Sequence, residues 1–448
     1  VTTFADFGLP APIVRTLADQ SITTPFPIQS ASLPDSLAGT DVLGRGRTGS
    51  GKTLAFSLPV VTRLAASGRR ARAKAPRALV LCPTRELANQ IDATMKPLAQ
   101  IMGLRTTTVF GGVAQSRQVA ALDAGVDVVI ACPGRLEDLL GQRHLTLDHV
   151  EITVLDEADH MADLGFLPGV KRIMDRTPRT GQRLLFSATL DNGVDVLVQR
   201  YLKKPVTHSV DEAAAPPPQM THHILAVADV EAKRRIVHEL AGGTGRRVLF
   251  TRTKHQAKKL AKQLTGAGVP AVDLHGNLGQ GARERNLAAF SSGDVKVLVA
   301  TDIAARGIHV DDVELVVHVD PPAEHKAYLH RSGRTARAGS GGDVVTVMLP
   351  EQRGDMRDLT RKARISATPQ PVAPGDATVM ALVGKVAAYV EPTPATPPQR
   401  KLASAAPGAP SSGSAQRRRR RRRGGSGQGS AGRGGNARPA EQRTARGR

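Results

Sequence analysis

The sequence predicts an α/β protein of two parallel-sheet domains in tandem, followed by a disordered basic C-terminal tail. Three observations carry that reading. Short apolar runs alternate with helix-compatible segments, a proline-rich stretch splits the runs into two series, and the last part is reduced to Pro, Ala, Gly, Ser and Arg. Apolar runs of four or five residues without polar alternation are strands covered on both faces. Their alternation with helices makes βαβ units and a parallel sheet.

The first series is DVLG (41–44), ALVLC (78–82), TTVF (107–110), DVVIA (127–131), ITVL (152–155) and RLLF (183–186). The second is HILAV (223–227), RVLFT (247–251), AVDLH (271–275), VKVLVA (295–300), ELVVHV (314–319) and DVVTVM (343–348). Between them DEAAAPPPQM (211–220) favours an extended connector, because three prolines fix the backbone. The expected boundaries are residues 1–207 for the first domain, 208–219 for the linker, 220–368 for the second domain and 369–448 for the tail. Within the tail, the apolar segment 376–390 is compatible with either a short helix or a strand.

Composition narrows the setting. Apolar residues make up 40% of the chain, enough for sizeable cores. No apolar run approaches the ~18–20 residues of a membrane span, and the first thirty residues carry no signal-peptide pattern. Cys82 and Cys132 each follow an apolar run and precede a proline, which reads as two small residues at strand ends rather than a metal site. The expected location is the reducing cytoplasm.

The formal net charge is +22, and residues 394–448 contribute +13 of it, chiefly through seven consecutive arginines, Arg417–Arg423. Such a balance favours polyanionic partners. From about Pro392 onward no segment buries enough apolar surface to offset the entropy of ordering.

GRGRTGSGKT (44–53) follows the run DVL and leads into a helix-compatible segment. Gly46, Gly51, Lys52 and Thr53 fit the phosphate-binding pattern G-x-x-x-x-G-K-[ST]. Glycines let the backbone wrap an anion at a helix N-terminus, the lysine reaches the outer phosphates, and the hydroxyl suits Mg²⁺. In such a nucleotide site a metal-binding acid belongs at the end of a neighbouring strand. Asp156 ends ITVL in that way, and Glu157 is placed to polarise a water attacking the outermost phosphate.

These residues are part of a longer ordered set. It runs PFPIQ (25–29), the phosphate loop, PTRELA (83–88), GG (111–112), PGR (133–135), DEAD (156–159) and SAT (187–189). In the second half follow LFTRTK (249–254), HGNLGQGAR (275–283), ATDIAARGI (300–308) and HRSGRTAR (330–337). Over roughly residues 4–350 the chain resembles the DEAD-box ATP-dependent RNA helicases, bacterial type with a basic tail.

The resemblance implies two RecA-like domains that close over ATP and one RNA strand. It implies ATP contacts by Phe4, Gln29, Gly49, Ser50, Gly51, Lys52 and Thr53, with Mg²⁺ held by Thr53 and Asp156 largely through water. The catalytic set would be Glu157, Lys52 and Asp156, with Arg334 and Arg337 as arginine fingers from the second domain. Asp159, Ser187, Thr189 and His330 would couple the ATP site to closure. Arg85, Gly112, Arg135, Arg283 and Thr301 would contact RNA, mostly at its backbone. With aromatics at 3% and no Trp, base-stacking platforms are scarce, so sequence-independent binding is expected.

Four positions depart from the family pattern. Ile22 replaces an aromatic and Phe26 a hydroxyl residue, so adenine packing is expected to differ. Cys132 replaces a threonine, which removes a hydroxyl contact to RNA. His309 replaces an aspartate that contacts the ribose. The implied activity is an RNA-stimulated ATPase that locally unwinds short duplexes or remodels ribonucleoprotein. The competing readings are an ATP-dependent RNA clamp or chaperone and a DNA-directed translocase of the same superfamily.

Overall fold

A computed structural model describes residues 2–46, 49–191, 193–209, 220–305, 312–336 and 341–392. Two seven-stranded parallel sheets account for most of it. The first contains β1 (Val42–Arg45), β2 (Ala78–Leu81), β3 (Thr106–Val109), β4 (Val128–Ala131), β5 (Ile152–Asp156), β6 (Gln182–Ser187) and β7 (Val206–Ser209). Its spatial order is β3-β4-β2-β5-β6-β1-β7. The second contains β8 (Met220–Ala226), β9 (Arg246–Phe250), β10 (Ala271–Leu274), β11 (Val297–Ala300), β12 (Val313–His318), β13 (Gly342–Met348) and β14 (Pro369–Pro371), in the order β10-β11-β9-β12-β13-β8-β14. All twelve apolar runs are strands.

Each sheet is buried on both faces, as the unbroken apolar runs require. In the first, Val80, Ile130 and Val154 face one core with Phe56 and Met95, while Leu79, Val129 and Leu155 face another with Leu139 and Ile173. The second sheet divides in the same way between a core around Leu249 and Val299 and one around Phe250 and Tyr328.

Local chemistry sets where helices begin. Thr84 accepts a hydrogen bond from Leu87 N and so caps the helix Arg85–Ile101, leaving Arg85 and Glu86 in its first turn. Thr253 and Gln256 form a reciprocal capping box on Lys254–Gly266. The chain order then places the phosphate loop after β1, SAT after β6 and DEAD after β5. Those three strands are parallel neighbours, so the three motifs converge at the C-terminal ends of the central strands.

Two edge strands lay outside the apolar runs. β7 reads VTHS and alternates between half-buried and exposed, and it extends the first sheet to Ser209, past the expected boundary at 207. β14 reads PQP, with all three residues exposed, and pairs with β8; prolines are tolerated there because an edge strand leaves one side unpaired. The second sheet therefore runs past residue 368. Beyond it the helix Ala377–Val383 buries Val379 and Val383 in the second lobe's core. Residues to Val390 strap the lobe through Ala387 N to Gly242 O (2.8 Å) and Val390 N to Gly268 O (3.0 Å). The expected tail from Pro394 onward lies outside the described residues.

Candidate functional site

The phosphate loop is shaped by its glycines. Gly49 and Gly51 both have φ of +87°, a region that strains any other residue. A Cβ on Gly51 would come 2.5 Å from Gln29 Nε2 and 2.8 Å from Phe26 Cδ2, so this position also permits close packing. Lys52 opens the helix Lys52–Ala66 and is buried, its ammonium donating to Gly46 O at 2.8 Å. Thr53 is half-buried in the same first turn, and Ser50 lies beside Gly46. Arg47 and Thr48 lie outside the described residues.

Gln29 does more than sequence reasoning assigned to it. Its Oε1 accepts from Phe26 N (2.8 Å) and its Nε2 donates to Gly51 O (2.8 Å). It thus braces the phosphate loop against the helix Pro27–Ala38, with one amide hydrogen remaining for a ligand. Phe4 corrects an expectation: it is only 2% exposed, in the core with Leu9, Ile13 and Leu17, where no ring face is open to a base. Phe26 is 49% exposed and lies against Gly51, so the open aromatic beside the loop is Phe26. Ile22 packs half-buried on the core instead.

At the end of β5 the two adjacent acids diverge. Asp156 is buried and accepts from Glu157 N at 3.0 Å. Burial pushes its carboxyl up to about 7; the Lys52 charge opposes this, and the neighbouring carboxylates add to it. Burial pushes Glu157 up too, but is outweighed by the His160 hydrogen bond and the charges of His160, Lys52 and Arg334, leaving it at about 2. His160 Nδ1 lies 3.1 Å from Glu157 Oε2, a contact that the i, i+3 spacing in DEADH could have suggested. Glu157 itself sits at φ +50°, ψ +52°, left-handed for a non-glycine residue and typical of a functional constraint.

The donor set fits a magnesium ion carried in with phosphates. Asp156 is a buried carboxylate whose burial Lys52 offsets only in part, and Thr53 supplies a hydroxyl in the first turn of the loop helix. Among the described residues no group of three or more His, Cys, Asp or Glu could hold a metal. The residues that the resemblance implies for such an ion, Asp156 and Thr53, would hold it together with phosphate and water, as hard divalent cations are held.

Asp159, Ser187 and Thr189 form one network. Thr189 donates to Asp159 Oδ2 through its backbone N (3.1 Å), Asp159 N donates to Ser187 Oγ (3.2 Å), and Ser187 Oγ donates to Thr189 O (2.7 Å). From the second lobe comes Arg334, buried, with Nε on His330 O at 3.3 Å and its charge felt at Glu157. Both lobes thus contribute charge to one site. Arg331, a neighbour that the sequence did not single out, holds Asp302 with two nitrogens and donates to Asp320 O, and so fixes the helix His325–Ser332. Arg337 and His309 lie outside the described residues.

The residues expected on RNA fall into two groups. Arg135 is half-buried, and its Nε and Nη1 lack hydrogen-bond partners; the nearest acid, Asp138, is 3.9 Å away. Unsatisfied buried guanidinium donors suit a phosphate. Thr301 is half-buried at the end of β11. Arg283 differs from expectation. It is buried and donates to Glu86 Oε1 (2.8 Å), His275 O and Ala304 O (3.3 Å each), and so joins the lobes instead of offering an open cation. Arg85 also crosses, donating to Gln280 Oε1 at 3.1 Å. Gly112, at φ +81°, makes room for it, since a Cβ there would fall 2.1 Å from Arg85 Nη1. Glu86 and Gln280 were missed because their role is pairwise and needs the other lobe.

Comparison with known proteins matches this arrangement. The family described as DEAD/DEAH box helicase covers residues 26–197, and the helicase conserved C-terminal domain covers 232–339. DEAD-box ATP-dependent RNA helicase 53 of Oryza sativa subsp. japonica is 38% identical over 374 residues, covering 82% of this chain and 61% of that protein. RNA helicase CrhR of Synechocystis sp. is 36% identical over 365 residues, covering 81% of this chain and 73% of CrhR. Several plant relatives are longer, and the chain spans 48% of a Zea mays chloroplastic helicase. Among solved structures, S. cerevisiae Dbp5 bound to RNA and ADP BeF3 superposes with a TM-score of 0.74 at 26% identity, covering 85% of this chain and 99% of Dbp5. With the motifs in order, the fold shared and relatives aligned across both lobes, the chain belongs to the DEAD-box RNA helicase family.

Proposed function

We propose that this chain is an RNA-stimulated ATPase that locally separates short RNA duplexes or remodels ribonucleoprotein. The carrying observation is a site divided between two lobes: phosphate loop and acids on one, Arg334 on the other, with the Arg334 charge acting on Glu157. Hydrolysis then depends on closure, and a ligand that prefers the closed form accelerates it. When bound, Mg²⁺ neutralises phosphate charge. Lys52 binds the outer phosphates, Glu157 holds and polarises the attacking water, and Arg334 stabilises charge developing on the transferred phosphoryl group. Arg135 positions the RNA strand through its backbone, and Arg337 would join Arg334.

Dbp5, similar in fold across both lobes, binds RNA and a nucleotide mimic as its description states, which supports RNA as the partner here. The basic segment 394–448, rich in arginine, would raise the local RNA concentration by attracting its phosphates. A reducing cytoplasm is the setting that the two free cysteines favour.

The test compares ATPase stimulation by RNA and by DNA of the same sequence, with unwinding of a short duplex, in wild type and Glu157→Gln. Expected are RNA-selective stimulation, strand separation by wild type only, and ATP-dependent RNA binding retained by the variant. Equal stimulation by DNA would sink the RNA assignment. Stimulation and binding without any strand separation would favour the clamp.

A further inference from the structure

Thr189 has one hydroxyl proton and faces two carboxylates. Its Oγ1 lies 2.6 Å from Asp191 Oδ1 and 3.3 Å from Asp159 Oδ2. Two acids around one donor repel each other, and the compensation comes from the other lobe: the Lys326 ammonium donates to Asp191 Oδ2. Lys326 belongs to the helix His325–Ser332, the element that carries His330 and leads directly to Arg334. Asp159, at the far end, lies two residues after Glu157 and is held by the Thr189 backbone at 3.1 Å. An unbroken polar path therefore runs from the acid cluster, through Thr189 and Asp191, to the helix that delivers the arginine.

We propose that Asp191 and Lys326 are a positioning pair, in which closure seats Lys326 on Asp191, fixes the Thr189 hydroxyl, and ties the arrival of Arg334 to the geometry of the Asp159–Glu157 segment. Neither residue touches the reacting atoms. The pair rests on the functional reading above, because it matters only if hydrolysis needs closure. Lys326 and the Thr189 hydroxyl both hold the Asp191 carboxyl below its usual range despite partial burial, in keeping with a seated ion pair. The side chains are 25% and 45% exposed, so the pair adds little to the fold itself and acts on a closing equilibrium.

The test is a charge exchange in the full chain: Asp191→Lys, Lys326→Asp, and both together. Each single variant replaces attraction by like-charge repulsion, and RNA-stimulated kcat should fall about three- to tenfold, with KM for ATP within about twofold of wild type. The exchanged double variant restores the attraction and should recover most of the loss. All variants should share the wild-type Tm. Closure, read by fluorescence transfer between lobe-attached dyes with magnesium and a non-hydrolysable ATP analogue, should follow the same order. Single variants that match wild type, or losses that add in the double variant, overturn the proposal. A wild-type ATPase indifferent to RNA defeats the functional reading instead, and the closure signal then decides the pair alone.

Discussion

Glu86 and Arg283 give the most demanding test of the two-lobe arrangement. The side chains meet across the cleft at 2.8 Å and are 8% and 10% exposed, so closure removes both charges from water. A Gln at position 86 still offers an amide oxygen, so Arg283 keeps neutral acceptors only, that oxygen and two carbonyls at 3.3 Å, and no counter-charge. Removing one member of a buried pair costs about 3–5 kcal/mol where the survivor stays trapped. Here the survivor re-enters water on opening, so the effect on closure should be nearer ~2–3 kcal/mol, or about 30- to 150-fold. Glu86→Gln should raise the RNA concentration for half-maximal ATPase accordingly while sparing the Tm of either lobe. Arg283→Gln should do the same, and the double variant should cost much less than the sum, because neither charge is then stranded. A phosphate-binding role for Arg283 predicts otherwise. It predicts that Glu86→Gln is mild, that losses add, and that only Arg283→Gln lowers the salt slope of RNA binding, by about one. That pattern would refute the latch.

Three further outcomes follow from the same geometry. Asp156→Asn should stabilise the ligand-free protein. A carboxyl raised to about 7 from 3.8 binds its proton more tightly when folded, so its stabilising contribution is complete at low pH and lost as pH rises through 7. The Tm advantage of the variant should therefore grow between pH 5 and 8 to the equivalent of ~2–4 kcal/mol, and adding magnesium and nucleotide should raise the Tm of wild type more than that of the variant. Phe26→Ala removes the exposed aromatic beside Gly51 and should raise KM for ATP about three- to tenfold with kcat largely kept, as loss of one stacking face would; an unchanged KM would place the base elsewhere. Truncation at Pro392 should raise the half-maximal RNA concentration at low salt without lowering kcat, measured by steady-state ATPase.

Much of this was legible because the strands are buried on both faces and so read as plain apolar runs. What escaped was edge structure. VTHS at β7 and PQP at β14 bury little, and their pairing is set by the neighbouring strand rather than by their own pattern. For the segment 376–390 the sequence left helix and strand both open, and the helix Ala377–Val383 settles it: its surroundings are rich in Pro, Ala and Gly, and only two of its residues, Val379 and Val383, reach the core. In the site, residues set by a fixed local spacing were legible, and the structure buries four of them, Lys52, Asp156, Glu157 and Asp159, in the first lobe. Residues whose role is a partner far along the chain were not legible. Glu86 meets Arg283 at a separation of 197 residues, and Asp191 meets Lys326 at 135. Spacing carries no trace of such pairs. Phe4 shows the converse limit, since a motif-adjacent aromatic can serve the core while its exposed counterpart, Phe26, stands by the loop.

The acids of DEAD can now be separated by what each lacks. Glu157 is already compensated within the protein by His160, Lys52 and Arg334, and at about 2 it remains an anion throughout the neutral range. Such a group is fit to orient a water but is too weak a base to hold its proton for long. Asp156, next to it on the same turn, is left near 7 because burial outweighs its single nearby cation. Its ionisation is therefore completed by whatever cation arrives. Asp159 spends one carboxylate oxygen on Thr189 and thereby on the second lobe. One acid is ready before ligand, one becomes ready with metal and phosphate, and one responds to closure. Full readiness then requires nucleotide and both lobes together, which is the condition the proposed RNA-stimulated hydrolysis would need.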